Sequence, residues 1–320
     1  MPRHRNALPV ADDTPFVTDG GLETTLVFHD GIDLPYFASI VLMRDAAGRE
    51  RLKRYFERYT AIAARHGAGF VFESPTWRAS ADWGARLGLA PRELAQLNRD
   101  SIAFLAALRE ASTGVAGPML VSGNLGPRGD GYNPASRMTV AEAERYHRAQ
   151  IDQFADTDAD MVSAFTMNYV EEAAGIARAA RKAGMPAVIS FTVETDGRLP
   201  TGMPLAEAIA GVDAAADGWP AYYMINCAHP THFAHALEAG APWLERVRGI
   251  RANASTRSHA ELDESTELDT GDAADLGRRY RSLRERLPRL AVYGGCCGTD
   301  ERHVAAICET ALAQRSAALA

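Results

Sequence analysis

Eight short runs of apolar and β-branched residues punctuate the chain, and segments with helical periodicity separate them. The runs are FVTDGG near Phe16, AGFVFES near Phe70, MLVSGNLG near Leu120, DMVSAFT near Val162, AVISFTVE near Ile189, YYMINCAH near Met224, RGIRANAS near Ile250 and LAVYGGCC near Val292. Helical patterns occupy Arg51–His66, Pro91–Ala111, Val140–Asp156, Val170–Ala183, Pro204–Ala216 and Asp300–Ala313. Several runs are apolar throughout instead of alternating, as in parallel sheets covered by helices. The pattern therefore predicts an α/β fold, a (β/α)8 barrel of the TIM type. An open doubly wound sheet is the alternative. Its Gly-x-Gly-x-x-Gly turn is missing, because DGGLETTL after the first run has a different spacing. No internal repeat or Pro/Gly-rich linker divides the 320 residues. The expected organisation is a loose arm over residues 1–15 and one barrel over residues 16–320.

The cysteines are few and unevenly placed. Cys227 closes the sixth run, and the adjacent Cys296 and Cys297 close the eighth, in AVYGGCCGTDERH. In a barrel these run ends share one rim, where barrel enzymes place their chemistry. Three thiolates meeting there suit a soft tetrahedral ion, with zinc the first choice and a fourth position left open for chemistry. Gly294, Gly295 and Gly298 are expected to let the backbone bend so that both neighbouring sulfurs face one metal. The plainer reading is a set of buried, inert thiols. Cys308 falls inside the last helical pattern and reads as core. His229, His232 and His235 follow Cys227 closely, but HPTH suits a loop and the first turn of a helix better than a ligand set.

Composition narrows the partners. A formal charge of −7 argues against nucleic acid, whose phosphates need clustered Lys and Arg. The basic stretch Arg278–Arg289 reads as the solvated face of an amphipathic helix. No apolar run approaches the roughly 18 residues of a membrane span, and the N-terminal stretch lacks the apolar block of a secretory signal. Four cysteines make no disulfide framework, so a reducing cytoplasm is expected. No exposed apolar stripe points to a particular oligomer. The partners left are small molecules.

Three motifs carry a resemblance. TDGGLETTL at Thr18–Leu26, INCAHP at Ile225–Pro230 and GGCCGT at Gly294–Thr299 resemble the homocysteine S-methyltransferase family, over nearly the whole chain. VEEA at Val170–Ala173 is similar to the stretch after the fourth strand in betaine-dependent members. The resemblance implies a (β/α)8 barrel and zinc held by Cys227, Cys296 and Cys297, which are then the catalytic residues. It also places Asp19 and Gly20, with Gly21, beside the bound thiol amino acid. Members of the family usually carry a Glu at the end of the fourth strand, against the substrate's amino group. Here Phe165 or Thr166 stands in that place. Either another acid covers the ammonium, with Glu194 or Glu23 as candidates, or the acceptor is a different thiol.

The chemistry follows from the charges. A free thiol with a pKa near about 8.5 is mostly protonated at neutral pH, whereas a zinc-bound thiol is deprotonated. Three cysteine thiolates and a substrate thiolate make an electron-rich site that would attract a sulfonium or quaternary ammonium methyl donor. Attack on a sulfonium methyl expels a neutral thioether, so alignment at roughly 3–3.5 Å is the remaining task. Trp77, Trp83, Tyr36 and Phe37 are candidates for cation–π contact with the donor. Asn124 and Asn253, at run ends, could bind the substrate carboxylate, although Asn is also ordinary turn chemistry. The expected activity is zinc-dependent methylation of homocysteine to methionine. The chain has no room for cobalamin and folate modules, so a free donor such as S-methylmethionine, S-adenosylmethionine or betaine is expected. The alternatives are methylation of another thiol, a redox role for the Cys296–Cys297 pair, or metal binding without methyl transfer.

Overall fold

A computed structural model describes residues 1–11, 14–265 and 267–312. Eight parallel strands close into a barrel in chain order. They are β1 (Phe16–Val17), β2 (Gly69–Glu73), β3 (Met119–Leu125), β4 (Met161–Met167), β5 (Ala187–Phe191), β6 (Tyr222–Asn226), β7 (Val247–Ala252) and β8 (Val292–Gly295). Closure is made by β1 and β8, with Phe16 opposite Val292 and Val17 opposite Tyr293. All eight expected runs contain a strand, and the open-sheet alternative is excluded by this closure.

The principal helices after the strands are α1 (Ala46–Arg65), α2 (Pro91–Ala111), α3 (Val140–Ala155), α4 (Val170–Lys182), α5 (Leu205–Ala216), α6 (Pro230–Phe233), α7 (Ala273–Arg286) and α8 (Glu301–Ala311). The start of α1 lies five residues before the expected Arg51. Asp45 explains it, because its carboxylate accepts from the Gly48 amide at 2.7 Å and caps the first turn. Thr139 and Glu142 form a reciprocal capping box on α3. The expected last residue of the final helix, Ala313, lies outside the described residues. In α7 the apolar positions Leu276, Tyr280 and Leu283 turn inward, which leaves Arg278, Arg281 and Arg286 on the outer face; Arg289 lies beyond the helix. No described helix is long and apolar enough to cross a membrane.

The apolar residues separate into two layers. The larger cluster lies between helices and sheet, with residues such as Tyr59, Ile151, Ile176, Phe191 and Ile307 fully buried. The smaller fills the barrel interior with Phe16, Val71, Leu120, Met161, Val188, Tyr222 and Val292. Residues 1–11, within the expected arm, make contacts with the barrel. Val10 joins the interior cluster. The Arg3 and His4 amides donate to Asp160 at 2.7 and 2.8 Å, and the Arg5 guanidinium donates to the carbonyls of Ala155, Thr157 and Ala159. These partners precede β4, so the segment seals the end of the barrel opposite the strand C-termini. That leaves the other mouth for chemistry.

Candidate active site

The ends of β6 and β8 bring together three cysteines distant in sequence. The sulfurs of Cys227, Cys296 and Cys297 all lie within 4.8 Å of one another. Cys227 and Cys296 are joined as a disulfide with Cα atoms 5.4 Å apart, and Cys297 is a free thiol at the mouth. The bond therefore links the two strand tips and not the neighbouring pair. A disulfide sulfur carries no charge to offer a cation, so the trio can act as a ligand set only when reduced. Accordingly, the unreduced protein should bind far less than one zinc equivalent, and reduction should raise this to one, as read by metal analysis after desalting.

Local backbone geometry aims these sulfurs. Cys227 takes φ 53° directly after β6, and Thr166, near the end of β4, takes φ 61°. Both values fall in the left-handed region, which costs a non-glycine residue about 1–2 kcal/mol. The Asn226 carboxamide spans the two strands. Its Oδ1 accepts from the Thr166 amide at 2.9 Å and from Ser190 Oγ at 2.6 Å. Its Nδ2 donates to Thr166 Oγ1 at 2.9 Å and points at the Cys296 sulfur at 3.9 Å. The Thr166 and Tyr132 hydroxyls face the Cys227 and Cys297 sulfurs, also at 3.9 Å. Donors set around sulfurs in this way orient them and favour their charged form.

The glycines of GGCCG serve two different purposes. Gly298 has φ +77°, where a side chain would be strained. Gly294 and Gly295 lie within β8 itself and are needed for space. A Cβ on Gly294 would overlap Thr18 Oγ1, and one on Gly295 would overlap Thr299 Oγ1. The expected bend is thus confined to Gly298, while the other two allow the β1 turn and the Thr299 loop to press against β8.

A cavity with about 770 Å³ of empty space, part of it open to solvent, opens beside the sulfurs. A buried ion pair lies at its base, with Arg251 Nη1 2.7 Å from Asp19 Oδ1. Arg251 also donates to the carbonyls of Gly295 at 3.0 Å and Gly20 at 2.9 Å, tying β7 to β8 and to the β1 turn. Tyr55 donates to Asp19 Oδ2 at 3.0 Å. Burial, reinforced by the Asp19 charge, holds the Tyr55 phenol well above its ordinary value. Two further carboxyls face the cavity. Burial pushes Glu23 up, partly offset by the Ser39 hydroxyl that donates to it at 2.8 Å. Burial pushes Glu73 up to about 7, with the Arg251 charge the main opposing influence.

Of the residues expected from sequence, Asp19, Gly20, Glu23, Asn124, Thr166 and the three cysteines all line this cavity. Glu194 and Asn253 do not. Glu194 lies 3.3 Å from His259 Nδ1, and Asn253 donates to the Cys227 carbonyl at 3.0 Å, bracing that residue from behind. His229 caps α6 and bonds Thr231, and burial lowers it to about 4. His232 and His235 bond backbone carbonyls of Thr256 and Asp196. Cys308 is buried in α8. Trp77 and Phe37 line the cavity, whereas Tyr36 and Trp83 do not. Trp83 already carries the Arg78 and Arg86 guanidinium groups 4.2 and 4.6 Å from its ring. Glu73, Arg251, Asn226 and Tyr132 are among the lining residues that sequence reasoning missed. A charged residue inside an otherwise apolar run, as in AGFVFES and RGIRANAS, was the available signal for the first two.

Comparison with known proteins adds a family and a fold. The family model described as homocysteine S-methyltransferase matches residues 16–311. No curated protein sequence matches the chain significantly. Among solved structures, the oxidised form of the homocysteine methyltransferase MmuM from Escherichia coli superposes with a TM-score of 0.72 at 21% identity, covering 94% of this chain and 97% of that one. Its metallated form gives 0.69 at 20% identity, covering 93% and 96%. At these identities the likeness is one of fold.

Proposed function

Because the chain belongs to the homocysteine S-methyltransferase family, we propose that it moves a methyl group from a sulfonium or quaternary ammonium donor to homocysteine, giving methionine, with zinc held by Cys227, Cys296 and Cys297. The observation that carries this reading is the meeting of three sulfurs within 4.8 Å beside the cavity. An all-sulfur donor set suits zinc better than magnesium or calcium, and three ligands leave one position for a substrate sulfur. A zinc ion bound there would keep the acceptor sulfur deprotonated at neutral pH.

The chain's own residues do the rest. Asn226, Thr166 and Tyr132 set the orientation of the three sulfurs. Phe37, Trp77 and Phe165 line the cavity with apolar surface, which excludes water from the reacting centre. With zinc bound, the three cysteine thiolates and the acceptor thiolate would leave a net negative charge that favours a cationic donor. The acceptor gives its thiol proton to solvent on binding, the sulfur–methyl bond forms, and the donor leaves as a neutral thioether or tertiary amine. No general acid is needed, and none of the lining residues has to act as one. A reducing cytoplasm is the compartment that keeps such thiols available.

The test uses reduced, zinc-loaded protein with homocysteine and, separately, S-methylmethionine, S-adenosylmethionine and betaine. Methionine is expected from at least one donor, detected by mass spectrometry. Its absence with all three, at full zinc occupancy, would reject homocysteine as the acceptor.

A further inference from the structure

The cavity contains three carboxyls, and they are not equivalent. Asp19 is engaged by Arg251 and Tyr55. Glu23 is only half-buried and accepts from Ser39. Glu73, at the end of β2, is 4% exposed. Its Oε1 accepts from Ser163 Oγ at 3.1 Å, but its buried Oε2 has no hydrogen-bond partner. On the adjoining strand, the buried Oδ1 of Asn124 is also without a partner, and Asn124 lines the same cavity. Two orphaned acceptors on neighbouring strands of one cavity call for a group that only donates hydrogen bonds. Leaving such acceptors unmet costs about 1–3 kcal/mol each, more where charge is involved. An ammonium, with three donors and a positive charge, is the group whose chemistry answers both.

We propose that Glu73, assisted by Asn124, binds the ammonium of the amino-acid acceptor. The inference rests on the reading of the acceptor as a thiol amino acid. It assigns the acid that is absent from the end of β4, where Phe165 and Thr166 stand, to the end of β2. It also replaces Glu23 and Glu194 as candidates, since Glu194 is outside the cavity and only Glu73 of the cavity glutamates has a buried oxygen without a partner. Burial raises the Glu73 carboxyl while the Arg251 charge opposes it, and an arriving cation would favour the carboxylate further.

The experiment compares homocysteine with 4-mercaptobutyrate, the same thiol acid without the amino group, on reduced, zinc-loaded protein. Wild type should have the lower KM for homocysteine. Glu73→Gln should raise the homocysteine KM about 10–100-fold, the scale of a hydrogen bond to a charged group. The 4-mercaptobutyrate KM should change less than about 3-fold. Glu73→Asp, which keeps the charge on a shorter arm, should fall between wild type and Glu73→Gln. Zinc stoichiometry and thermal melting of each variant separate loss of binding from loss of fold. Equal losses for both acceptors, or an unchanged homocysteine KM in Glu73→Gln, would overturn the assignment. A wild type that methylates both thiols equally well would overturn it while leaving methyl transfer intact. One that methylates neither would remove both readings.

Discussion

Cys297→Ala should abolish both stoichiometric zinc binding and methyl transfer while leaving the fold untouched. Cys297 is exposed at the mouth of the barrel and belongs to neither apolar cluster. Its backbone carbonyl accepts from the Ala254 amide at 3.0 Å, a bond that an alanine keeps. The thermal midpoint of the metal-free variant should therefore match that of the metal-free wild type, since exposed substitutions usually stay within about 0.5 kcal/mol. Removing one of three sulfurs should be felt far more strongly at the metal. Changes in groups that merely support metal ligands cost about 10–100-fold in affinity or activity, so loss of a ligand should exceed about 100-fold in kcat/KM. Cys308→Ala gives the opposite signature. Its side chain is fully buried in α8, so it should lower stability and leave zinc stoichiometry and activity unchanged. Metal analysis, a melting curve and a methyl-transfer assay on the two variants decide the matter. A fully active, zinc-free Cys297→Ala protein would end the metal reading.

The barrel and the cysteine cluster were legible for one reason. Both depend on the order of elements, and a closed parallel sheet places every strand C-terminus on the same rim. Once Cys227 was read as the end of the sixth strand and Cys296 and Cys297 as the end of the eighth, their convergence followed without any distance being known. Other parts of the site depend on which side chain meets which across the barrel, and the linear sequence does not encode this locally. Arg251 is one case. Read along the chain it is one residue in RGIRANAS, and only the barrel sets it 2.7 Å from Asp19, some 230 positions away. Glu73 is another, since its significance lies in an oxygen left without a donor. The reasons for the glycines were half legible. The positive φ of Gly298 suits a tight loop, but the need for Gly294 comes from Thr18, directly after the strand that closes the barrel.

Asp19→Ala should destabilise the protein by about 3–5 kcal/mol, because it strips the partner from a buried charge. Arg251 is 8% exposed; its guanidinium lies 5.1 Å over the Phe165 ring, and the Asp19 contact supplies negative charge at 2.7 Å. The carbonyls of Gly20 and Gly295 accept its remaining bonds, and neutral acceptors do not offset the cost of taking a full charge out of water. Tyr55 adds to the penalty, since its hydroxyl loses the Asp19 carboxylate and keeps only the Gly20 carbonyl at 3.1 Å. Asp19→Asn should cost less than Asp19→Ala, because a carboxamide can still accept from Tyr55. Zinc binding should weaken in parallel in both, as Arg251 is the clasp between β7, the β1 turn and the Gly295 backbone that leads directly into Cys296. Urea unfolding of metal-free protein, followed by circular dichroism, gives the stability difference free of any contribution from metal binding. A loss under about 1 kcal/mol for Asp19→Ala would mean that another anion carries Arg251, with Glu73, whose charge also acts on it, the candidate. The Asp19→Ala, Glu73→Gln double variant would then lose far more than the sum of the two single changes.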